Sequence, residues 1–198
     1  MYSIKKALKK EKAKLNRNYF ISYFLIILIL YLTYIAVSLN LVEGWKVYFT
    51  AFYAFMIEIA LFINILKMYS ESKFSLQVDL DKVKIYQPFK GTISFQTSKV
   101  VYVDVLNQKD SFDLVIFLKA KRTKRFTRLT KEDEMFKRVY DFLYQKYGED
   151  EFCYYIVKNG GVRKYFYLYK LYKNCFEAEF SRKAMEYIKL FLQEYNLS

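Results

Sequence analysis

The side chains able to do chemistry are few in this chain, and they are scattered. Histidine is absent from all 198 residues, which removes imidazole acid–base catalysis, Ser-His and Cys-His dyads and the commonest metal ligand. Cys153 and Cys175, the only cysteines, lack the Cys-x-x-Cys spacing of a zinc or redox site and read as ordinary buried thiols. Asp79 and Asp81 form an Asp-x-Asp, a pairing that in other settings holds Mg2+. With Leu80 between them and no acid cluster alongside, they read as turn residues. Glu132, Asp133 and Glu134 read as the first turn of a helix that Thr130 caps, where negative charge offsets the helix dipole. The set implies no catalytic centre, no metal and no cofactor.

One carboxylate has an unusual setting. Glu58 lies inside an apolar stretch, 47–66, that carries only one other strongly polar side chain, Asn64. An ionised carboxylate at the centre of a bilayer costs about 2.5 kcal/mol or more, so it must be protonated, paired or wetted. Ala51, Ala54 and Glu58 share one helical face, a small and polar stripe suited to helix contact, and Tyr31 or Thr33 of the preceding apolar run could lie opposite. Two roles fit Glu58: a neutral acid hydrogen-bonded within a helical hairpin, or part of an ion path or oligomer contact.

The element that positions Glu58 is a pair of spans. Residues 20–42 hold no Asp, Glu, Lys or Arg, and a helix of that length runs roughly 34 Å, enough to cross a hydrocarbon core of about 30 Å. Residues 43–46 then link it to 47–66, and a link so short joins antiparallel helices. Trp45 and Tyr48 suit a membrane interface. Before the first span, Lys5, Lys6, Lys9, Lys10, Lys12, Lys14 and Arg17 face the single acid Glu11. Such a cluster stays on the cytoplasmic side. The expected arrangement is a basic segment over 1–18, a transmembrane hairpin over 19–69 and both termini in the cytoplasm, at the plasma (inner) membrane. The apolar run is too long, and lacks the small-x-small site, for a cleaved signal peptide.

Beyond residue 73 the pattern changes from helical to alternating. Short runs rich in Val, Ile, Phe and Tyr predict an antiparallel sheet with turns at 79–81, 90–91 and 107–111. Lys119, Lys121, Arg122, Lys124, Arg125 and Arg128 line an expected hairpin between 112–118 and Phe126, where they could meet anionic lipid headgroups or another polyanion. Phe126 could stack on a base, but the run is too unspecific to favour nucleic acid. A helix ending at Gly148 follows, with Met135, Phe136, Val139, Tyr140, Phe142, Leu143 and Tyr147 on its apolar face. In 148–198, Asn159-Gly160 between two aromatic-rich runs predicts a β-hairpin, and a last helix is expected to start at Asn174 or at Ser181. The fold class expected is α+β.

The stretch TISFQTSKVVYVDVLNQKDSFDLVIFLKAKRTKRFTRLTKEDEMFKRVYDFL, with the transmembrane pair before it, resembles bacterial membrane proteins with a PH-like cytoplasmic domain of the YcxB-like type. The likeness rests on the apolar-x-apolar run at 101–105, the hairpin 112–126 and the closing helix, and it covers roughly 74–147. It implies a curved sheet capped by a helix, with a binding or scaffolding role and no catalysis. The basic motif that reads inositol lipids would fall at 80–82 and is absent, so inositol-lipid recognition is not implied.

A net charge of +13 with 21% aromatic residues fits a membrane protein whose soluble part meets anionic surfaces. The expected function is non-enzymatic binding or scaffolding toward an unknown protein partner or the anionic membrane surface. The alternatives are a small pore or transporter-associated subunit using Glu58, with homo-oligomers possible, and a membrane-tethered nucleic-acid binder.

Overall fold

The computed structural model describes residues 3–107, 112–120, 125–148 and 150–196. The chain is α+β and divides into two units, Leu8–Lys73 and the combination of Met1–Ala7 with Phe74–Ser198.

Two long helices account for the N-terminal third. Helix α1 spans Ile4–Ser38 and α2 spans Trp45–Lys73. The apolar run 20–42 is therefore helical only to Ser38. Asn40 stops it, taking a left-handed φ of 50°, which Asn tolerates better than most residues. The Asn40 N–H donates to Val37 O at 3.2 Å and the Leu41 N–H to Ala36 O at 3.0 Å. This 5→2 and 6→1 pair is a Schellman ending, and it satisfies carbonyls the helix would leave open. Gly44, at φ 58°, completes the turn before α2. The basic residues of 5–17 lie on the same helix as the apolar run, because α1 already begins at Ile4.

The strands form two sheets where one was expected. Strands β1 (Ser75–Val78), β2 (Lys82–Gln87) and β3 (Gly91–Gln96) make an antiparallel meander. Asp79 and Asp81 sit in its first turn, as expected: the Asp79 N–H donates to Lys82 O at 2.9 Å and the Thr97 hydroxyl to Leu80 O at 2.6 Å. A 3-10 turn, Thr97–Lys99, breaks the path into a second sheet. That sheet holds β4 (Val100–Asn107), β5 (Phe112–Lys119), β6 (Thr127–Arg128), β7 (Phe152–Val157) and β8 (Glu179–Phe180), in the order β6-β7-β5-β4-β8. All pairs are antiparallel except β4 with β8. The expected turn at 107–111 lies largely outside the described residues.

Two expected hairpins are corrected by this topology. Strand β6 pairs with β7, which lies between it and β5, so 112–118 and the segment after Phe126 do not pair with each other. The second correction concerns the residues after Asn159-Gly160, which form a 3-10 turn, Gly161–Arg163, and then helix α4 (Lys164–Asn174) in place of a strand. The buried positions explain why: Lys164, Tyr167, Leu168 and Leu171 recur at 3.6-residue spacing, so helical packing overrides the strand preference of the aromatics.

The helix expected from Thr130 also starts later. The Thr130 N–H donates to Asp133 Oδ2 at 2.9 Å, a local turn that takes Asp133 out of the helix. A 3-10 turn, Glu134–Phe136, buries Phe136, and helix α3 runs Lys137–Tyr147 up to Gly148. The last helix, α5 (Arg182–Tyr195), begins at Ser181, whose hydroxyl accepts from the Ala184 N–H at 3.1 Å.

Strand β5 organises the core. It is buried without a break from Phe112 to Leu118, which marks a central strand covered on both faces. On one face Val115 and Phe117 pack with Val101, Leu129, Phe136, Leu143 and Phe152. On the other, α4 packs against β5 and β1, and α5 against α4 and β4.

Candidate functional site

The two long helices are the first place where the fold departs from soluble packing. Both α1 and α2 are long and apolar enough to cross a membrane, and only 6% of each apolar window is buried by the rest of the chain. A core helix of a soluble domain would be mostly covered, so the surface of this pair is matched to hydrocarbon. These helices support a transmembrane character for the protein.

Along α2 from Val47 to Met68 the less exposed residues are Val47, Thr50, Ala54, Glu58, Leu61, Ile65 and Met68, spaced by three or four. Glu58 thus belongs to one defined stripe, with Ala54 beside it, while Ala51 and Asn64 are exposed. Among the described residues, none hydrogen-bonds or pairs with the Glu58 side chain. The two candidates for a partner do not serve: Thr33 donates back to Ile29 O at 2.8 Å within its own helix, and Tyr31 is exposed.

The basic residues divide into two groups. Lys5, Lys6, Lys9 and Lys10 are exposed along the first turns of α1. In the 119–128 stretch, Lys121, Arg122 and Lys124 lie outside the described residues, and the three remaining cations already have partners. Lys119 pairs with Asp150 at 2.6 Å and Arg128 with Glu151 at 3.8 Å, while Arg125 donates to Thr92 O at 2.7 Å. These pairs remain solvent-exposed and hold the edge of the second sheet more than they hold a ligand. Phe126 is also engaged, edge-on to Phe95 at 5.8 Å and to Tyr155 at 6.0 Å.

Sequence reasoning missed two arrangements, each of which joins residues far apart in the chain. The Glu194 carboxylate, in the last turn of α5, accepts from Ser3 Oγ at 2.7 Å, from Ile4 N at 2.5 Å and from Lys5 N at 2.9 Å. Desolvation pushes the Glu194 carboxyl upward, but the Lys5 N–H, the Ser3 hydroxyl, the Ile4 N–H and the Lys5 charge outweigh it and hold it below the ordinary carboxylate range. Lys5 Nζ stands 4.7 Å over the Tyr195 ring, and Ile4 is buried. The second arrangement is a buried ion pair. Lys164 Nζ, at the start of α4, lies 3.0 Å from Asp113 Oδ1 and donates to Phe112 O at 2.6 Å, with both side chains almost fully covered. Neither was findable from spacing, because each pairs a residue with one at least 51 positions away.

The thiols are inert. Cys153 and Cys175 are buried, and burial pushes the Cys175 thiol up to about 12. Among the described residues no three Cys, Asp or Glu side chains converge as a metal centre would require. No protein-family model, no characterised protein and no solved structure matches this chain.

Proposed function

We propose that this chain is a multi-pass inner-membrane protein whose α1 and α2 form a transmembrane hairpin, and whose residues 74–198 act at the cytoplasmic face as a non-enzymatic binding or scaffolding module. The observation that carries this reading is the contact of Ser3, Ile4 and Lys5 with Glu194. If the first turn of α1 touches the C-terminal helix, both lie on one side of the membrane, and the chain between them crosses it an even number of times. Two apolar helices meet that requirement. The basic cluster over 5–17 then selects the cytoplasmic side.

Within this reading the anionic membrane surface is met chiefly by the start of α1, since Lys119, Arg125 and Arg128 are engaged elsewhere in their own domain. Each Lys or Arg near an anionic leaflet contributes about 1 kcal/mol. The full chain in nanodiscs should show hydrogen-exchange protection over 5–17 that grows with anionic lipid and shrinks with salt. Charge reversal at Lys6, Lys9 and Lys10 should abolish that dependence. Equal protection in neutral and anionic discs would remove lipid as the partner and leave a protein as the object of the module.

A second reading is favoured by Glu58, whose carboxylate has no partner among the described residues on a stripe suited to helix contact. It makes the chain a pore or transporter-associated subunit, or an oligomer held at that stripe. Glu58→Gln should then change ion flux in proteoliposomes or the oligomer distribution in mild detergent. Wild-type behaviour in both assays would end this reading.

A further inference from the structure

The ends of α1 and α5 each break the charge rule for helices, and each repairs the other. Every α-helix leaves its first N–H groups without an internal partner, and its N-terminus favours negative charge. Helix α1 has no acid in its first turn and places Lys5 and Lys6 there instead. Its own cap is weak, with Ser3 Oγ accepting from the Lys6 N–H at a long 3.4 Å. Helix α5 has the opposite defect, for Glu194 sits in its last turn, where carbonyl oxygens already gather and no basic residue is present. Across the contact both defects vanish: Glu194 takes the Ile4 and Lys5 N–H groups and the Ser3 hydroxyl, and Lys5 covers Tyr195.

Charges that are unfavourable within their own helices and favourable only across a contact make that contact separable from the rest of the fold. Ile4 is buried at the contact, but the core around β5 is built elsewhere: β5 is covered by α3 on one side and by α4 and α5 on the other, through Leu168, Leu171, Ala184 and Ile188, all upstream of the last turn of α5. We propose that Glu194 is a releasable latch: seated, it fixes the start of the first membrane helix to the C-terminal module; withdrawn, it lets the first turn of α1 fray while the module stays folded. This inference rests on the reading of α1 as a span only for its consequence in the membrane; the latch itself is a property of the contact.

The test is hydrogen exchange on the full chain in nanodiscs of neutral lipid, comparing wild type with Glu194→Ala and Glu194→Gln. The expected result is that Glu194→Ala speeds exchange in peptides covering 3–8 by tenfold or more, that Glu194→Gln, which keeps one acceptor, gives a smaller increase, and that peptides within 112–118 and 164–171 are unchanged. Unchanged exchange over 3–8 in Glu194→Ala would overturn the latch. A matching rise over 112–118 would overturn it too, because Glu194 would then be part of the global fold. Neither outcome bears on which face of the membrane the termini occupy, so the topology stands or falls by separate measurement.

Discussion

Lys164 and Asp113 show how a buried charge pair constrains a fold that would otherwise be an ordinary aromatic core. Lys164 Nζ also donates to Phe112 O at 2.6 Å. Lys164→Met takes the ion-pair partner from the buried Asp113 carboxylate and should destabilise the protein by about 3–5 kcal/mol. Replacing both, with Lys164→Met and Asp113→Leu, should recover most of that loss. Thermal unfolding followed in detergent measures both, and equal stability of the single and the double variant would refute the coupling. The thiols give a prediction of opposite character. With Cys175 pushed up to about 12 by burial and Cys153 covered, a thiol reagent at neutral pH should label neither residue until the protein is unfolded.

At the scale of elements, the bend at Gly160 decides between the expected hairpin and the observed helix. Its φ is +107°, and a Cβ there would stand 3.1 Å from the Tyr167 ring and 3.2 Å from Phe74. Gly160→Ala therefore meets both backbone strain and overpacking, and should cost about 1–3 kcal/mol in unfolding free energy. Acid should act on a different element. Because the folded value of Glu194 is depressed, its stabilisation of the first turn of α1 is complete above the ordinary carboxylate value of about 4.3 and is lost as pH falls through the folded value. The groups facing it are the Lys5 ammonium, the Ser3 hydroxyl and the Tyr195 phenol. Protection of the amides over 3–8, taken relative to their intrinsic exchange rate at each pH, should fall below about pH 4 and stay flat from pH 5 to 8.

What was legible in the chain follows from how local each signal is. The charge-free run at 20–42, the apolar run at 47–66 interrupted by Glu58, the cap at Ser181, the stop at Gly148 and the turn at 79–81 are written in neighbouring residues, and all correspond to elements of the structure. The end of α1 is less legible: Asn40 sits within an apolar run, and only its tolerance of left-handed backbone makes it a helix stop. Helix α4 departs from the expected hairpin because Asn-Gly and a Tyr/Phe-rich run satisfy the hairpin pattern as well as the helical one, and only burial distinguishes them. Strand β7 shows the same limit at sheet level. It comes after α3 in the chain yet lies between β5 and β6, a placement decided by long-range pairing.

Of the whole molecule the central claim is that the start of α1 and the C-terminal helix share one face of a membrane that α1 and α2 cross as a hairpin. The turn 39–44 would then lie on the other face. Single cysteines at Ser3, Asn40 and Ser181, introduced one at a time with Cys153 and Cys175 replaced by Ala, can be labelled in right-side-out vesicles with a membrane-impermeant maleimide. Labelling at position 40 in intact vesicles, with positions 3 and 181 labelled only after the membrane is opened, is the predicted result. Labelling of positions 3 and 181 on opposite sides, or of all three on the same side, would contradict it.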